Sequence, residues 1–354
     1  MTKHPVRLSY AAPTRRQFVA AALALAARPA LACDLKGLAT PHKIGSLVLT
    51  ASEREGEFDR ISVDCPFVFH RNGLFYMTYV AFDGTGYQTG LASSEDLVHW
   101  EKRGCILRRD PASAVTKYNI ALNWILRVND LHSVGELSRV DGRYLGVYHA
   151  YPNSGYEQGA AVIGLCRSTD TVHWELQDPC LRAEDGAEWE RGGLYKPCLV
   201  KSGATYYLFY NAKNQEKRWH EQTGVAMSTD LKSWKRYDGN PILRNGLPGS
   251  PDSRFASDPC VLKNGKHWAL YYFGLDDHGV ARDLVATSED LLHPTKCSDI
   301  VIDVGAPGSV DSSYAHKPSL VSYKGDLYHF YCAVSRVNGL EVRGISVARS
   351  RAWV

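Results

Sequence analysis

Short runs of apolar residues alternate with turn residues along nearly the whole chain. The clearest runs begin at a proline, cross a turn that contains glycine and end in an aromatic-rich stretch, at residues 66–79, 197–210, 259–272 and 318–331. β-Branched and aromatic residues on both sides of Asn-Gly, Ser-Gly or Lys-Gly are typical of antiparallel strands joined by a tight turn. The pattern therefore predicts a β-hairpin in each of these segments.

A second element recurs after each hairpin, with the approximate pattern Gly-x-Ala-x-Ser-x-Asp-Leu-x-x-Trp. It occupies residues 90–100, 164–174 and 224–234, with weaker copies at 284–293 and 344–350. The serine or its equivalent falls at positions 94, 168, 228, 288 and 348, so the spacing is 74 residues and then 60 three times. Such a period indicates a repeat architecture. Its Asp96, Asp170 and Asp230 are expected to cap and pack the repeats rather than to serve a site.

One hairpin, one Gly-x-Ala-Ser strand and one outer strand give four strands per repeat, which is the content of a propeller blade. Residues 136–148, with the turn at Asp141-Gly142, supply a hairpin to the second blade. The last repeat ends at Ser350, so the apolar segment 43–50 is expected to add its outer strand and close the ring. We predict an all-β fold: a five-bladed β-propeller with four-stranded blades, closed by an N-terminal strand, in one domain over residues 33–354.

The first 32 residues are similar to a twin-arginine export signal. Arg15-Arg16 precede an apolar run at residues 19–27, and small residues lie before Cys33. This predicts removal of residues 1–32 and a periplasmic or secreted protein. The apolar run is about half of the roughly 20 residues that span a bilayer, so no transmembrane segment is expected. A lipoprotein anchor at Cys33 stays open, although Ala30 stands where a lipobox usually has leucine.

Charge and cysteine content exclude two classes of function. Lys and Arg total 41 against 38 Asp and Glu, but five of the basic residues precede Cys33, which leaves 36 against 38. That balance offers no attraction for nucleic acid. The nine cysteines include no Cys-x-x-Cys pair, so we expect small buried residues and no zinc site. A twin-arginine substrate folds before export, so its fold should not depend on disulfides.

Three features resemble the five-bladed propeller glycosidases, the superfamily that contains glycoside hydrolase families 32, 43, 62, 68, 117 and 130. These are the repeated Ser-x-Asp-Leu-x-x-Trp strands, Gly239-Asn-Pro-Ile-Leu243 and Asp258-Pro259 before an apolar strand, and the likeness covers residues 43–350. It implies a sugar pocket on the axis, with carboxyl groups at the starts of the innermost strands acting on the glycosidic bond. The motifs are specific for the fold and do not identify the sugar.

The resemblance also implies catalytic residues. Asp64, in the first blade, stands where the general base is usual, and Asp258 looks like a second pocket carboxylate. Family 43 enzymes often carry Glu-Gly-Pro in the third blade, where this chain has Lys196-Pro197. The general acid is therefore sought in Glu190, with Glu184 and Glu188 as rivals. Asp130 is the candidate for a carboxylate that tunes the acid.

Cations near the predicted axis form a second set of candidates. The third and fifth innermost strands begin with Lys-Pro, and further basic residues lie near the predicted blade mouths. Such cations could neutralise neighbouring carboxylates or bind a uronate or phosphate group. The substrate-binding candidates are Lys196, His316, Lys317, Arg191, Arg254 and His220.

A polar repeat precedes the third strand of three blades, at residues 87–90, 156–159 and 220–224. These residues could line a pocket rim. Because they recur together with the framework glycine, the pattern favours a structural role.

Together these features predict an exported glycoside hydrolase that acts on an oligo- or polysaccharide, exo-acting and inverting, with an acidic glycan as one substrate class. A glycoside phosphorylase and a noncatalytic glycan-binding propeller are the alternatives. We expect no cofactor, although some relatives hold an axial calcium ion. The sugar, the linkage, the stereochemical outcome and the oligomeric state are not determined by the sequence.

Overall fold

The computed structural model describes Cys33 and residues 35–353. The predicted export signal, residues 1–32, lies outside the described residues. The described residues form β-strands, with two short 3-10 turns at Ala183–Asp185 and Glu188–Glu190. The predicted all-β class is therefore confirmed. None of the helical segments described has the length and apolar character that crossing a membrane requires.

The strands form five successive antiparallel units. Unit 1 contains β2 (Ser62–Arg71), β3 (Leu74–Phe82), β4 (Tyr87–Ser94) and β5 (Glu101–Leu107). Unit 2 contains β6 (Ala121–Ile125), β7 (Arg139–Val140), β8 (Arg143–Ala150), β9 (Val162–Ser168) and β10 (Glu175–Leu181). Unit 3 contains β11 (Gly193–Ser202), β12 (Thr205–Lys213), β13 (Glu221–Ser228) and β14 (Lys235–Arg236). Unit 4 contains β15 (Phe255–Asn264), β16 (His267–Leu275), β17 (Ala281–Ser288) and β18 (Thr295–Ile302). Unit 5 contains β19 (Tyr314–Tyr323), β20 (Asp326–Val337), β21 (Leu340–Arg349) and, from the start of the chain, β1 (His42–Lys43).

The first and last strands of the described residues pair in unit 5. β1 pairs antiparallel with β21, and Leu49 forms a further antiparallel bridge to Ile345. β2 of unit 1 packs against both β19 and β21 of unit 5. The upstream segment thus lies where the sequence predicted that it would, at the outer edge of the last unit.

The Ser-x-Asp element forms a polar turn at the end of the third strand. In unit 1 the Ser94 hydroxyl accepts the backbone N–H groups of Asp96 and Leu97, and the Asp96 carboxylate accepts those of Val98 and His99. The same bonds recur at Asp170 and Asp230. The predicted capping role of these aspartates is confirmed.

Cys33 forms a disulfide with Cys297 of β18. The sequence predicted that the fold would not depend on disulfides, and that stays a prediction, because the presence of this bond does not show whether folding requires it. Cys65, Cys198 and Cys260 are buried without a disulfide, as predicted for small core residues.

A buried carboxylate joins the inner and outer parts of four units. In each of them it accepts the hydroxyl of a tyrosine on the second strand and pairs with a Lys or Arg on the outermost strand. The four sets are Tyr79–Asp59–Lys102, Tyr210–Glu190–Arg236, Tyr272–Asp252–Lys296 and Tyr331–Asp311–Lys43. In unit 5 the cation comes from β1, so this ion pair ties the start of the chain to the last unit.

Lys43→Met should destabilise the protein by about 2 kcal/mol. A fully buried pair that loses one partner costs about 3–5 kcal/mol, and Lys43 keeps a quarter of its side chain exposed, whereas Asp311 is buried. Lys235→Met is the matched control, because Lys235 lies on β14 of unit 3 and pairs at the surface with Asp238. Urea unfolding of both variants measures the difference. Equal unfolding free energies for the two variants would show that the Lys43 pair does not hold unit 5 together.

The segment between β6 and β7 crosses from unit 2 to all the other units. Arg127 donates to the carbonyl oxygens of Val68 in unit 1 and Leu320 in unit 5. The Asn129 amide donates to Leu199 O of unit 3, and Leu131 N donates to Lys263 O of unit 4. We call residues 126–138 the plug. Its partners lie on the innermost strands of the other four units, two to four residues after the proline of each strand.

Candidate active site

Four of the five innermost strands share one local distortion. The residue before the proline adopts a left-handed conformation, with φ between 48° and 69°, and the pairing with the second strand shifts register there. Such a bulge turns a side chain that would alternate across the sheet toward the axis. A positive φ in a non-glycine residue is unfavourable and is characteristic of functional sites. The four residues are Cys65, Lys196, Asp258 and Lys317.

A cavity of about 560 Å³ is lined by two of these bulge residues, Asp258 and Lys317. This volume suits a small-molecule ligand. The lining combines charged residues with aromatic and apolar ones. The charged residues include Asp64, Glu157, Glu221, Asp258, Lys317 and Arg343, and the aromatic and apolar residues include Phe255, Phe273, Leu275 and Tyr314.

Asp64 is fully engaged by cations. Its Oδ2 lies 2.8 Å from Lys317 Nζ and 2.7 Å from Arg343 Nη1, and its Oδ1 accepts the backbone N–H of Cys65. Burial opposes ionisation, but the two cations prevail and hold the pKa of Asp64 well below its usual range. A carboxylate so strongly stabilised in its charged form is a weak base. The structure therefore favours a positioning role for Asp64 over the predicted role of general base.

Glu221 lies at the start of β13 and is held by three neutral donors. Ser257 Oγ and Asn211 Nδ2 donate to its Oε2 at 2.6 and 3.3 Å, and Trp219 Nε1 donates to its Oε1 at 2.9 Å. Burial and the nearby Glu157 raise the pKa of Glu221. The donors fix the carboxyl group in one orientation, while the raised pKa makes it a stronger base than an exposed glutamate once it is ionised.

Asp258 is buried at its bulge and faces the cavity. Burial raises its pKa to about 7 even though Lys317 and Lys196 favour the charged form. Among the described residues its carboxyl group has no hydrogen-bond partner. At a pH below 7 it is therefore a neutral carboxylic acid with a proton to donate to a ligand.

The pKa of Asp258 makes stability depend on pH. The folded protein binds a proton more tightly than the unfolded chain, in which the pKa is near 3.8, so stability falls as pH rises through the interval up to about 7. Asp258→Asn removes this loss. The unfolding free energy of the variant, minus that of the unmodified protein, should therefore be about 2 kcal/mol larger at pH 8 than at pH 5. Urea unfolding at both pH values measures it, and a gain independent of pH would contradict it.

Glu157 lies on the loop between β8 and β9 and is half-buried at the cavity mouth. Its backbone oxygen accepts a hydrogen bond from Lys213 Nζ at 2.8 Å. Its carboxyl group has no hydrogen-bond or ion-pair partner among the described residues. Glu157 thus presents a carboxyl group without a side-chain partner at the cavity mouth, whereas the carboxyl group of Glu221 is held by three donors.

The polar repeat before the third strands supplied these two glutamates. Tyr87, Tyr156, Glu157 and Glu221 all line the cavity. The preference for a structural role is therefore wrong for these positions, and the rim alternative is correct. The polar repeat was visible in the sequence. It could not be assigned to the cavity, because a residue at the start of a strand can face either the cavity or a neighbouring unit.

Two of the predicted binding residues, Lys317 and His316, line the cavity. Lys196 occupies the equivalent bulge of unit 3 and lies outside the cavity lining. His316 packs edge-on against Phe273, and its Nδ1 lies 3.2 Å from the backbone oxygen of Cys332. Burial, followed by the charge of Lys317, holds the pKa of His316 well below its usual range. His316 is therefore a neutral wall residue.

The structure corrects the prediction for the general acid. Glu190 is buried against Tyr210 and Arg236, 3.0 Å from each, and is the structural equivalent of the Asp59, Asp252 and Asp311 carboxylates. It does not reach the cavity. Its rivals Glu184 and Glu188 are exposed in the two 3-10 turns.

Asp130 is also removed from the site. It belongs to the plug, where its carboxylate accepts the backbone N–H of His132 and its backbone bridges to Lys263. It cannot tune an acid in the cavity, because it lies outside the cavity lining.

Besides Lys196, three further predicted cations lie outside the cavity lining. Arg191 donates to Gly186 O, and His220 lies 3.4 Å from Glu216 at the surface. Arg254 stacks over Phe255, with 5.0 Å between its guanidinium carbon and the ring centroid. Each of the three is close along the chain to a residue that lines the cavity, but its side chain contacts other groups. Arg343 of β21, which the sequence analysis did not select, lines the cavity instead.

The described residues contain no group of three His, Cys, Asp or Glu side chains arranged to hold a metal ion. An axial calcium ion, as some relatives hold, stays an expectation from the resemblance alone.

A family model described as the glycosyl hydrolases family 32 N-terminal domain matches residues 129–304. A solved structure of a complex of BT0996 with RGII has a TM-score of 0.77 and 28% identity, over 88% of this protein and 92% of that one. A second structure, described as a glycoside hydrolase, has a TM-score of 0.77 and 25% identity, over 96% of each protein.

A more distant structure shares the fold. It is described under the GH130 family of mannoside phosphorylases, which contains glycoside hydrolases that target β-1,2 mannosidic linkages in Candida mannan. It has a TM-score of 0.62 and 16% identity, over 87% of this protein and 92% of that one. The family match, the two similar structures and a cavity lined by several carboxyl groups agree in one assignment: the protein belongs to the superfamily of propeller glycoside hydrolases and is a glycosidase.

Proposed function

We propose that the protein is an exo-acting, inverting glycoside hydrolase in which Glu157 is the general acid and Glu221 the general base. The observation that carries the proposal is the placement of two glutamates at different depths of one cavity, the deeper one fixed by three donors and the outer one without a partner among the described residues. A terminal sugar in the cavity would have its glycosidic oxygen toward the mouth, where Glu157 lies.

The reaction needs one proton delivered and one removed. Glu157 donates its proton to the glycosidic oxygen as the bond to the anomeric carbon breaks. Ionised Glu221 removes a proton from a water molecule as the water oxygen bonds to that carbon. The three donors to Glu221 stabilise its charge, and neutral Asp258 donates a hydrogen bond to a sugar hydroxyl group.

Exo-action is supported by the shape of the cavity. The inner strands converge on it, and beyond the bulges the plug bonds to the inner strands of the other four units. A blind cavity accepts the end of a glycan more readily than its middle. Inversion is supported by the separate positions of the two glutamates, because a water activated by the deeper Glu221 can attack the anomeric carbon from the side opposite the leaving group that Glu157 protonates.

An acidic glycan is supported by the two axial lysines. Arg343 is engaged by Asp64 and Glu341, but Lys317 donates to Asp64 alone, which leaves two of its three N–H groups for a ligand. Lys196 adds a second positive charge at the bulge of unit 3, outside the cavity lining, and its charge acts on Asp258. A carboxylate on the bound sugar would be stabilised there.

Phosphorolysis is the second candidate, because the same lysines could hold a phosphate that takes the place of water. The noncatalytic alternative is not favoured, since the protein is a glycosidase by family and both glutamates face the cavity.

We further propose that the five units are the blades of one ring, closed by β1, and that the protein is exported. The pairing of β1 with β21 and the packing of unit 1 on unit 5 support a closed ring. The Cys33–Cys297 disulfide supports export, because disulfides persist in oxidising compartments.

A panel of 4-nitrophenyl glycosides and plant or bacterial oligosaccharides, some with uronate residues, tests this function with and without phosphate. We expect release of a single terminal sugar without phosphate, and proton NMR of the first product should show the inverted anomer. Phosphate-dependent release of a sugar phosphate would establish the phosphorylase instead. Cleavage within chains or retention of configuration would contradict the proposed mode of action.

A further inference from the structure

We propose that Tyr156 is the binding platform for the leaving-group sugar, the residue of the glycan that departs from the cavity mouth. This inference rests on the proposed function of Glu157 and Glu221. It assigns a role to an aromatic side chain that neither the fold nor the catalytic step requires.

The ring of Tyr156 is held at the cavity mouth by three contacts. One face stacks on Phe82, with ring centroids 3.8 Å apart and the planes 30° from parallel. Tyr87 packs edge-on, with 5.8 Å between the ring centroids. The Tyr156 hydroxyl lies 3.2 Å from Ser62 Oγ, which also borders the cavity. Tyr156 nevertheless keeps 43% of its surface exposed, and this surface is available to a ligand.

The loop that carries Tyr156 is fixed from several sides. Gly155 N donates to Thr85 O in unit 1, and Asn119 Nδ2 donates to Asn153 O. On the other flank Lys213 Nζ of unit 3 donates to Glu157 O. Tyr156 and Glu157 are neighbours on one anchored segment, so a sugar stacked on the ring lies beside the acid that protonates its glycosidic oxygen.

The surroundings of Tyr156 define the class of ligand. Ile61, which is 44% exposed, also lines the mouth and extends the apolar surface. Arg343 and Glu341 of β21 line the same cavity and offer polar partners. The C–H groups of a pyranose carry slight positive charge and lie well on the negative face of an aromatic ring. The surface thus fits a pyranose with one apolar face, its hydroxyl groups directed toward Glu341 and Arg343.

The test compares two substrates with the same terminal sugar, an oligosaccharide and the glycosyl fluoride, which has no leaving-group sugar. We expect Tyr156→Ala to lower kcat/KM at least about tenfold more for the oligosaccharide than for the fluoride, mainly through KM. Tyr156→Phe keeps the ring and should restore most of the ratio. Circular dichroism and thermal unfolding of each variant verify that the fold is retained.

The outcomes separate this inference from the function on which it rests. An equal loss on both substrates, or no loss on either, overturns the platform and leaves the glycosidase assignment intact. A ratio that Tyr156→Phe does not restore also overturns it, because the hydroxyl group and not the ring would then be responsible. Failure of the unmodified protein to hydrolyse any substrate of the panel overturns the proposed function and this inference together.

Discussion

Glu221→Gln should lower kcat/KM at least about a thousandfold on every substrate. A general base contributes roughly 10²–10⁴-fold, and an amide in its place cannot accept the proton of the attacking water. The three donors to Glu221 come from Ser257, Asn211 and Trp219, which belong to the framework, so the glutamine should be held in the same place. Initial rates on the best substrate of the panel measure the loss.

The matched control for Glu221 is Asp258→Asn, at the neighbouring carboxyl group. Below pH 7 Asp258 is neutral, and an asparagine amide retains a hydrogen-bond donor, so we expect a loss of about tenfold or less at pH 6. The unmodified enzyme should lose activity as the pH is lowered, because the reaction requires ionised Glu221. Since the pKa of Glu221 is raised, the midpoint of this loss should lie at a higher pH than the ordinary pKa of a glutamate side chain. If Asp258→Asn abolishes turnover while Glu221→Gln does not, the base is Asp258.

The repeat units were predictable from the sequence because their signals are local. Proline-initiated strands, glycine turns and the Ser-x-Asp turn each involve residues close together in the chain, and they recur at a fixed spacing. The bulge residues before proline, including Asp258 and Lys317, could be placed by the same logic. Their position at the start of an innermost strand determines that they reach the axis.

The acids of the site were less predictable, because proximity to the axis depends on contacts between units. Glu157 lies in the polar repeat and Glu190 in a 3-10 turn, and neither sequence context shows which carboxyl group reaches the cavity. In the structure, Arg236 and Tyr210 bind Glu190, whereas Lys213 holds the backbone of Glu157 and leaves its carboxyl group at the mouth. The deciding partners lie between 20 and 56 residues away along the chain.

Arg127 in the plug shows how such distant contacts also determine stability. Its guanidinium group donates to carbonyl oxygens of units 1 and 5 and stacks over Phe67 and Trp124, within 5.3 Å of both ring centroids. The group is buried without a carboxylate partner among the described residues. Burial accordingly lowers its pKa from the usual value. The charge is accommodated by backbone dipoles and aromatic faces alone.

Arg127→Met should destabilise the protein by about 4 kcal/mol, because it leaves two buried carbonyl oxygens unpaired at about 1–3 kcal/mol each. Arg139→Met is the control. Arg139 also donates to two carbonyl oxygens and stacks on a tyrosine, but at the surface, where water can replace the lost bonds, so we expect less than about 1 kcal/mol. Urea unfolding of both variants measures the difference. Equal losses would show that the plug does not hold the five units together.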